Sequence, residues 1–395
     1  MLDVARPGST PARGEAACEF ALVSDRAAFD KLEAEWNDLF ARAGRGTQVF
    51  QGFNWNWHWA NHYLAPGDDE GTSLAIVTGR RGGRLVMVWP LVEERVAGLR
   101  QLAWMGEPVS QYGDVLVEDG DGGIDVLRAA WAFIRSELSP DLVRLHKVRD
   151  DACVKPLLAE LQALPVQRLE APYLDLAGSA DFAAYEQRYS PRSRRNRRRL
   201  ARRFEERGKM AIECPKSGER ARELAELAIA MKRTWLKERG LVSPALADPR
   251  MSRFFADVAE GLERPAGCQL SALTTGGEAA AIEINLACKD RTVMHVIVFN
   301  LKYEKAGAGV LLLEDTIAKS FGNGCKTFDL LAPADAYKLD WADGRAGVAD
   351  WALALTLKGW VYARIYLGFA RPAVKSTLAA LPMPIRRFVA GRYVS

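Results

Sequence analysis

Residues 270–331 read LSALTTGGEAAAIEINLACKDRTVMHVIVFNLKYEKAGAGVLLLEDTIAKSFGNGCKTFDLL, and this stretch decides the fold. Gln269 to Thr274 is predicted to be a strand, Thr275 to Glu278 a Gly-Gly turn, and Ala280 to Cys288 the return strand. After a turn at Lys289 to Arg291, a third strand runs from Thr292 to Phe299. Turns this short join antiparallel neighbours, because parallel pairs need a long crossover. Gly307 and Gly309 then lead into an apolar helix, Val310 to Phe321, and a further strand spans Lys326 to Leu331. The first amides of a helix lack intrahelical partners and carry partial positive charge, and glycines let a phosphate approach the backbone. Gly307, Ala308, Gly309, Val310 and Leu311 are therefore candidates for a pyrophosphate cradle; tight packing of strand on helix is the competing use of the same glycines. A P-loop is excluded because no G-K-[ST] follows, and the third glycine of a dinucleotide fingerprint falls on Leu312.

Upstream, two helices are expected at Ala221 to Arg239 and Pro249 to Leu262. Before them lies the most polar block of the chain, YSPRSRRNRRRLARRFEERG, residues 189–208. Ser190 as N-cap, Pro191 at the first helical position and Gly208 as the stop predict a helix. Leu200 and Phe204 give it a narrow apolar seam. The first half of the chain repeats a motif: LAIVTGRRGGRLVMVWPLV (74–92) has the same strand, glycine turn and strand as LSALTTGGEAAAIEINLA (270–287). That likeness suggests a duplicated unit. Apolar spacing in Phe29 to Ala43 predicts a helix, and the aromatic run FNWNWHWANHY (53–63) reads as a second one wedged into the core.

A length of 395 residues implies about two domains. The division expected is a disordered tail at 1–17, an N-terminal domain at 18–165, a C-terminal domain at 166–345, and a helical, basic amphipathic extension at 346–395. Hydrophobic (49%) and charged (26%) fractions are those of a globular protein, and a net charge of +4 excludes a whole-molecule polyelectrolyte. The six cysteines form no C-x-x-C pair and there are four histidines, so neither a metal site nor a disulfide framework is expected. The N-terminus lacks the apolar core of a secretory signal, and no run reaches the length of a spanning helix, so a cytoplasmic protein is expected. The segment 357–395 mixes Trp360, Tyr362, Ile365 and Phe369 with Lys358, Arg364 and Arg371. This pattern suits contact with the inner membrane surface or packing onto the first domain.

Three segments carry a resemblance to a known family: the arginine block, VFNLKYEKAGAGVLLLEDTI (298–317) and FDLLAPADAYKLDWADG (328–344). They resemble the GNAT superfamily of acyltransferases, and within it the CelD-like (cellulose biosynthesis) branch, related to the Fem-type peptidyltransferases. Asn300 stands where that branch usually has Asp, Ala308 where it often has Pro, and Glu304 where GNAT enzymes place Arg or Gln. The resemblance implies an α/β (α+β) fold of two tandem GNAT-like domains, with mixed, largely antiparallel sheets flanked by helices and a degenerate N-terminal copy. It also implies direct acyl transfer from acyl-CoA, acetyl-CoA first, to an amine or hydroxyl of a glycan or other small acceptor; Fem-type relatives use aminoacyl-tRNA instead.

Such transfer needs a base for the acceptor and an acid for the leaving thiolate. Glu283, which faces opposite to Ile282 and Ile284, is the first base candidate, and His295 in the next strand is the second. The resemblance makes Tyr337 and Lys338 candidates for acid or anion-holding roles, with Asp329 to orient one of them and Tyr303 to protonate the thiolate. Eight arginines lie between Arg192 and Arg203, Arg195 and Arg198 among them. Such crowding repels, and an anionic partner such as donor phosphate, glycan, lipid or RNA relieves it; Glu205 and Glu206 offer a solvated balance instead. Specific DNA recognition is not expected, because no aromatic residues interleave the arginines.

Overall fold

The computed structural model describes residues 17–64, 71–118, 123–261, 267–382 and 385–386; the tail expected at 1–17 lies outside them except for Ala17. The strands are β1 (Cys18–Val23), β2 (Ser73–Leu74), β3 (Ile76–Arg81), β4 (Arg84–Trp89), β5 (Leu91–Val96), β6 (Leu99–Trp104), β7 (Leu116–Val117), β8 (Leu142–Arg149), β9 (Leu164–Asp175), β10 (Met210–Glu213), β11 (Gly267–Thr275), β12 (Glu278–Cys288), β13 (Arg291–Phe299), β14 (Thr327–Asp329) and β15 (Gly344–Ala354). They form a four-stranded sheet, β1-β3-β4-β7, and an eleven-stranded mixed sheet, β10-β11-β12-β13-β14-β9-β15-β8-β6-β5-β2. Helices flank both sheets.

The two halves share a plan. β1, β3 and β4 pair antiparallel in that order, with helices Glu33–Ala43 and Phe53–Tyr63 between β1 and β3. β10, β11 and β12 do the same, with helices Glu219–Glu238 and Pro249–Glu260 between β10 and β11. The likeness of the two hairpins in sequence is thus a likeness of topology. The large sheet also ties the halves together, because β15 lies between β9 and β8. This corrects one expectation: residues 346–354 are strand, not the start of a helical extension, and the C-terminal helices begin at Leu357. The segment Gly344–Ala354 reads GRAGVADWALA, which has no period-two alternation to mark it as a strand.

Alternation in β12 sets up both faces of the sheet. Ile282, Ile284 and Leu286 join the large core built with helices Glu219–Glu238, Pro249–Glu260 and Phe53–Tyr63. The aromatic run does wedge into that core: Trp55 meets Phe254 and Phe255 edge-on, at centroid distances of 4.8 and 6.1 Å. Each such fully buried ring or branched side chain stabilises by about 1.5–3 kcal/mol. The other face of the sheet is covered by helix Ala308–Gly322, whose Leu313 and Ile317 pack with Met294 and Phe328. Helix Pro191–Glu205 lies across the start of that helix, and its seam residues Leu200 and Phe204 meet Ala308 and Leu312.

Candidate active site

β13 pairs with β12 along its length, but with β14 only over Arg291–Val293. β14 ends at Asp329, so beyond Val293 this edge of β13 has no paired strand among the described residues. A bulge marks the same place: Ile284 faces Val296 and Asn285 faces Met294, which leaves His295 without a partner. That unpaired edge leads to the glycine bend, because β13 runs into the 3-10 segment Leu301–Ala306 and then helix Ala308–Gly322.

The bend is capped by Gly307 at φ 74°, a left-handed conformation that glycine adopts without strain. No side chain caps the helix start, so its first-turn amides face outward. The cradle is narrowed but not sealed. A Cβ at Gly307 would lie 2.8 Å from Leu200 Cδ1, and Ala308 and Leu311 are buried, while Gly307, Gly309 and Val310 remain partly exposed. Arg195 and Arg198 are exposed on the neighbouring helix, and an open hollow there is lined by Ser190, Arg195, Asn196 and Arg199. Arg197 points inward instead: its guanidinium donates to Glu314 Oε1 at 2.8 Å and stacks on Tyr189 and Trp341. The departures from the family pattern have local reasons. Asn300 caps the 3-10 segment by accepting from Lys302 N–H and donates to Glu278, which an aspartate would repel. Glu304 is paired with Arg239, so its carboxylate is not a bare charge beside the bend.

An apolar groove of about 390 Å³ adjoins the bend, lined by Leu227, Met231, Trp235 and Phe299. Phe299 forms the link, since a Cβ on Gly309 would lie 3.1 Å from its ring. From the same helix Lys232 donates to the Ile297 carbonyl at 3.0 Å, filling one acceptor on β13. Burial lowers the Lys232 ammonium, against the pull of Asp335.

Tyr337 and Lys338 follow β14 on the short helix Ala336–Leu339. Tyr337 is 42% exposed. Desolvation, then the Asp335 and Glu283 carboxylates, holds its phenol well above the usual tyrosine value, so it stays protonated. Lys338 is 6% exposed, and its Nζ donates to the carbonyls of Leu331 at 2.9 Å and Pro333 at 3.0 Å. Burial pushes its ammonium down to about 8; Asp335 opposes this and Lys232 adds to it. Asp329 reaches this group indirectly. It is fully buried and accepts from Tyr112 Oη at 2.8 Å, Arg291 Nη1 at 3.0 Å and Arg149 Nη1 at 3.4 Å. It also accepts from the Leu331 N–H at 2.9 Å, and Leu331 sits at φ 60°. That left-handed turn, rare for a leucine, aims the Leu331 carbonyl at Lys338.

The remaining candidates lie elsewhere. Glu283 does face opposite to Ile282 and Ile284, but it is fully enclosed beneath helix Ala308–Gly322, where the Asn285 amide donates to it at 3.0 Å. Burial pushes its carboxyl up to about 7. His295 is packed among Phe50, Trp55 and Phe255, with Nε2 at 2.6 Å from the Val109 carbonyl. Burial pushes its imidazole down to about 4, so it is a neutral group joining the two halves. The Tyr303 hydroxyl is committed to Glu278 at 2.7 Å. The structure therefore brings together Tyr337, Lys338 and, through Leu331, Asp329, but not Glu283, His295 or Tyr303. Lys232 and Asp335 were not legible as site residues. The one signal for Lys232 is a lysine on the helix face that also carries Ala228 and Trp235.

Solved structures share the fold. L-PGS from Bacillus licheniformis superposes with a TM-score of 0.52 at 12% identity, over 92% of this chain and 97% of that one. FemX superposes with 0.52 at 10% identity, over 78% and 93%. A tandem GNAT protein from the clavulanic acid biosynthesis pathway reaches 0.49 at 15% identity, over 85% and 98%. No curated protein matches the sequence. At these identities the likeness is one of fold. Residues 191–339, which hold the arginine helix, β13, the glycine bend and Lys338, match the family described as acetyltransferase (GNAT) domain.

Proposed function

We propose that the chain is a CelD-like acyltransferase that moves an acyl group from acyl-CoA, acetyl-CoA first, to an amine or hydroxyl of a sugar, polysaccharide precursor or lipid-linked intermediate. The observation that supports this reading most is the unpaired edge of β13 beyond Val293, which leads to the glycine bend, with Tyr337 and Lys338 on the short helix that follows β14. In this reading the first-turn amides at Ala308, Gly309 and Val310, with Arg195 and Arg198, hold the donor's phosphates, and the groove along Phe299 and Trp235 receives its chain. A bound thioester supplies the activated acyl carbon.

Lys338 is the better base. As a free amine it has two N–H bonds, which the Leu331 and Pro333 carbonyls occupy, and its lone pair is left to take the acceptor's proton. The Tyr337 phenol gives its proton to the departing thiolate and recovers one through solvent from Lys338. Asp329 is a positioning residue that fixes the Leu331 turn. Glu283, enclosed beneath helix Ala308–Gly322, acts only through its charge on Tyr337.

The test is release of free coenzyme A thiol in the presence of an acceptor panel of amino sugars, sugars and glycolipid head groups. Tyr337→Phe and Lys338→Met should each lower kcat by about 10²–10⁴-fold, the range for one proton-transfer group. Unchanged kcat in both variants would remove these roles. Thiol release with none of the acyl-CoAs, but transfer from aminoacyl-tRNA, would move the donor to the Fem-type reading.

A further inference from the structure

The C-terminal helices carry an apolar row that the protein itself does not use. The chain is helical from Leu357 through Ala380, with a π-helical stretch at Tyr362–Ala370. Gly359, Ala363 and Leu367 recur every fourth residue and are buried. Ala363 and Leu367 pack against Leu142 and Ala352. Leu357, Val361, Ile365 and Phe369 also recur every fourth residue, two positions out of step, and so lie on the opposite side. They are 79%, 42%, 56% and 73% exposed. Trp360 and Tyr366 flank that row and are exposed as well. The usual arrangement is thus inverted: a narrow strip of small residues docks, and the large apolar side chains face outward. Scattered exposed apolar residues need no explanation, but a contiguous row of this size marks an interaction surface.

The charge of the segment selects the occupant. From Trp351 to Ser395 there is no Asp or Glu, while Lys358, Arg364, Arg371, Lys375, Arg386, Arg387 and Arg392 carry seven positive charges. Of these, Lys358 is paired with Asp141 at 2.8 Å and Arg386 donates to the Gly240 carbonyl at 3.3 Å; Arg364 and Arg371 are exposed beside the apolar row. A second copy of the chain would bring the same positive charge to the contact, and the two surfaces would repel. A layer of anionic head groups over acyl chains meets both features, with aromatic side chains at the boundary and cations above it.

We infer that the face carrying Leu357, Val361, Ile365 and Phe369 binds an anionic phospholipid surface. The inference is independent of the reaction proposed beside the glycine bend. The experiment is flotation of the full-length protein with vesicles of phosphatidylcholine alone and with an equal mixture of phosphatidylcholine and phosphatidylglycerol, alongside light scattering. The protein should float with the mixed vesicles, far less with phosphatidylcholine alone, and less at high salt. Ile365→Glu with Phe369→Glu, both surface changes, should weaken vesicle binding by tenfold or more on the order expected for losing two inserted side chains. Arg364→Ala and Arg371→Ala should each cost about fivefold. Circular dichroism of each variant should match the parent. Absence of binding to the mixed vesicles, equal binding to both compositions, or unchanged binding by the Ile365 and Phe369 double variant would overturn the inference. So would a concentration-dependent dimer that the same double variant dissolves, which would assign the row to a second copy of the chain.

Discussion

Replacing Glu283 by glutamine should make the protein more stable at alkaline pH and leave it nearly unchanged in mild acid. The carboxyl lies fully buried under helix Ala308–Gly322, where burial raises it from an ordinary 4.5 to about 7. Between those values the folded chain holds a proton that the unfolded chain has lost. Folding therefore binds protons, and stability falls as pH rises from about 4.5 through about 7, then levels. At 1.36 kcal/mol per pH unit, the difference between 4.5 and about 7 amounts to about 3 kcal/mol of lost stability above neutrality. Glutamine has the shape of the protonated acid: its carbonyl still accepts from the Asn285 amide, and it carries no charge to desolvate. Urea unfolding of parent and Glu283→Gln at pH 5 and pH 8 measures both terms. The variant should exceed the parent by less than about 1 kcal/mol at pH 5 and by about 3 kcal/mol at pH 8. Equal pH dependence in the two proteins would refute the claim that Glu283 is a desolvated, enclosed carboxyl.

Other predictions rest on separate contacts. Asp329→Asn keeps an acceptor for Tyr112 and the Leu331 N–H but strips the charge facing Arg291 and Arg149; because Arg149 keeps its pair with Asp151, chemical unfolding should show a loss of about 1–3 kcal/mol, the range for a hydrogen-bonded charge. The pH profile of kcat/KM should rise through about 8 as Lys338 becomes a free amine, and Lys338→Met should remove that limb from whatever activity remains. Gly307→Ala should destabilise by about 1–2 kcal/mol, because φ is 74° and the new Cβ would meet Leu200; combining it with Leu200→Ala should relieve the contact but not the backbone strain.

How far the sequence could be read depended on whether each feature is local. The meander β11–β13, the glycine bend and the arginine helix were legible because turn glycines, alternation and caps sit within a few residues of one another. So was the facing of Glu283, which alternation alone sets. What alternation could not show is that helix Ala308–Gly322 closes over that face and turns a candidate base into an enclosed carboxyl. His295 is a similar case: its environment comes from Phe50 and Trp55, more than two hundred residues away in sequence, and from a bulge without sequence signature. Lys232 and Asp335 gain their meaning only beside the unpaired edge of β13, where Lys232 reaches the Ile297 carbonyl. The strand Gly344–Ala354 is not legible, because GRAGVADWALA carries no period-two pattern and its partners β8 and β9 lie far earlier in the chain.

The most direct measurement is titration calorimetry of acetyl-CoA into the full-length protein, repeated with Gly309→Asp and with Arg195→Ala plus Arg198→Ala. Saturable one-to-one binding, weakened tenfold or more by a carboxylate at the helix start, is the result expected if backbone amides and arginines there hold a phosphorylated donor. No heat with any acyl-CoA, or binding indifferent to both sets of substitutions, would contradict it.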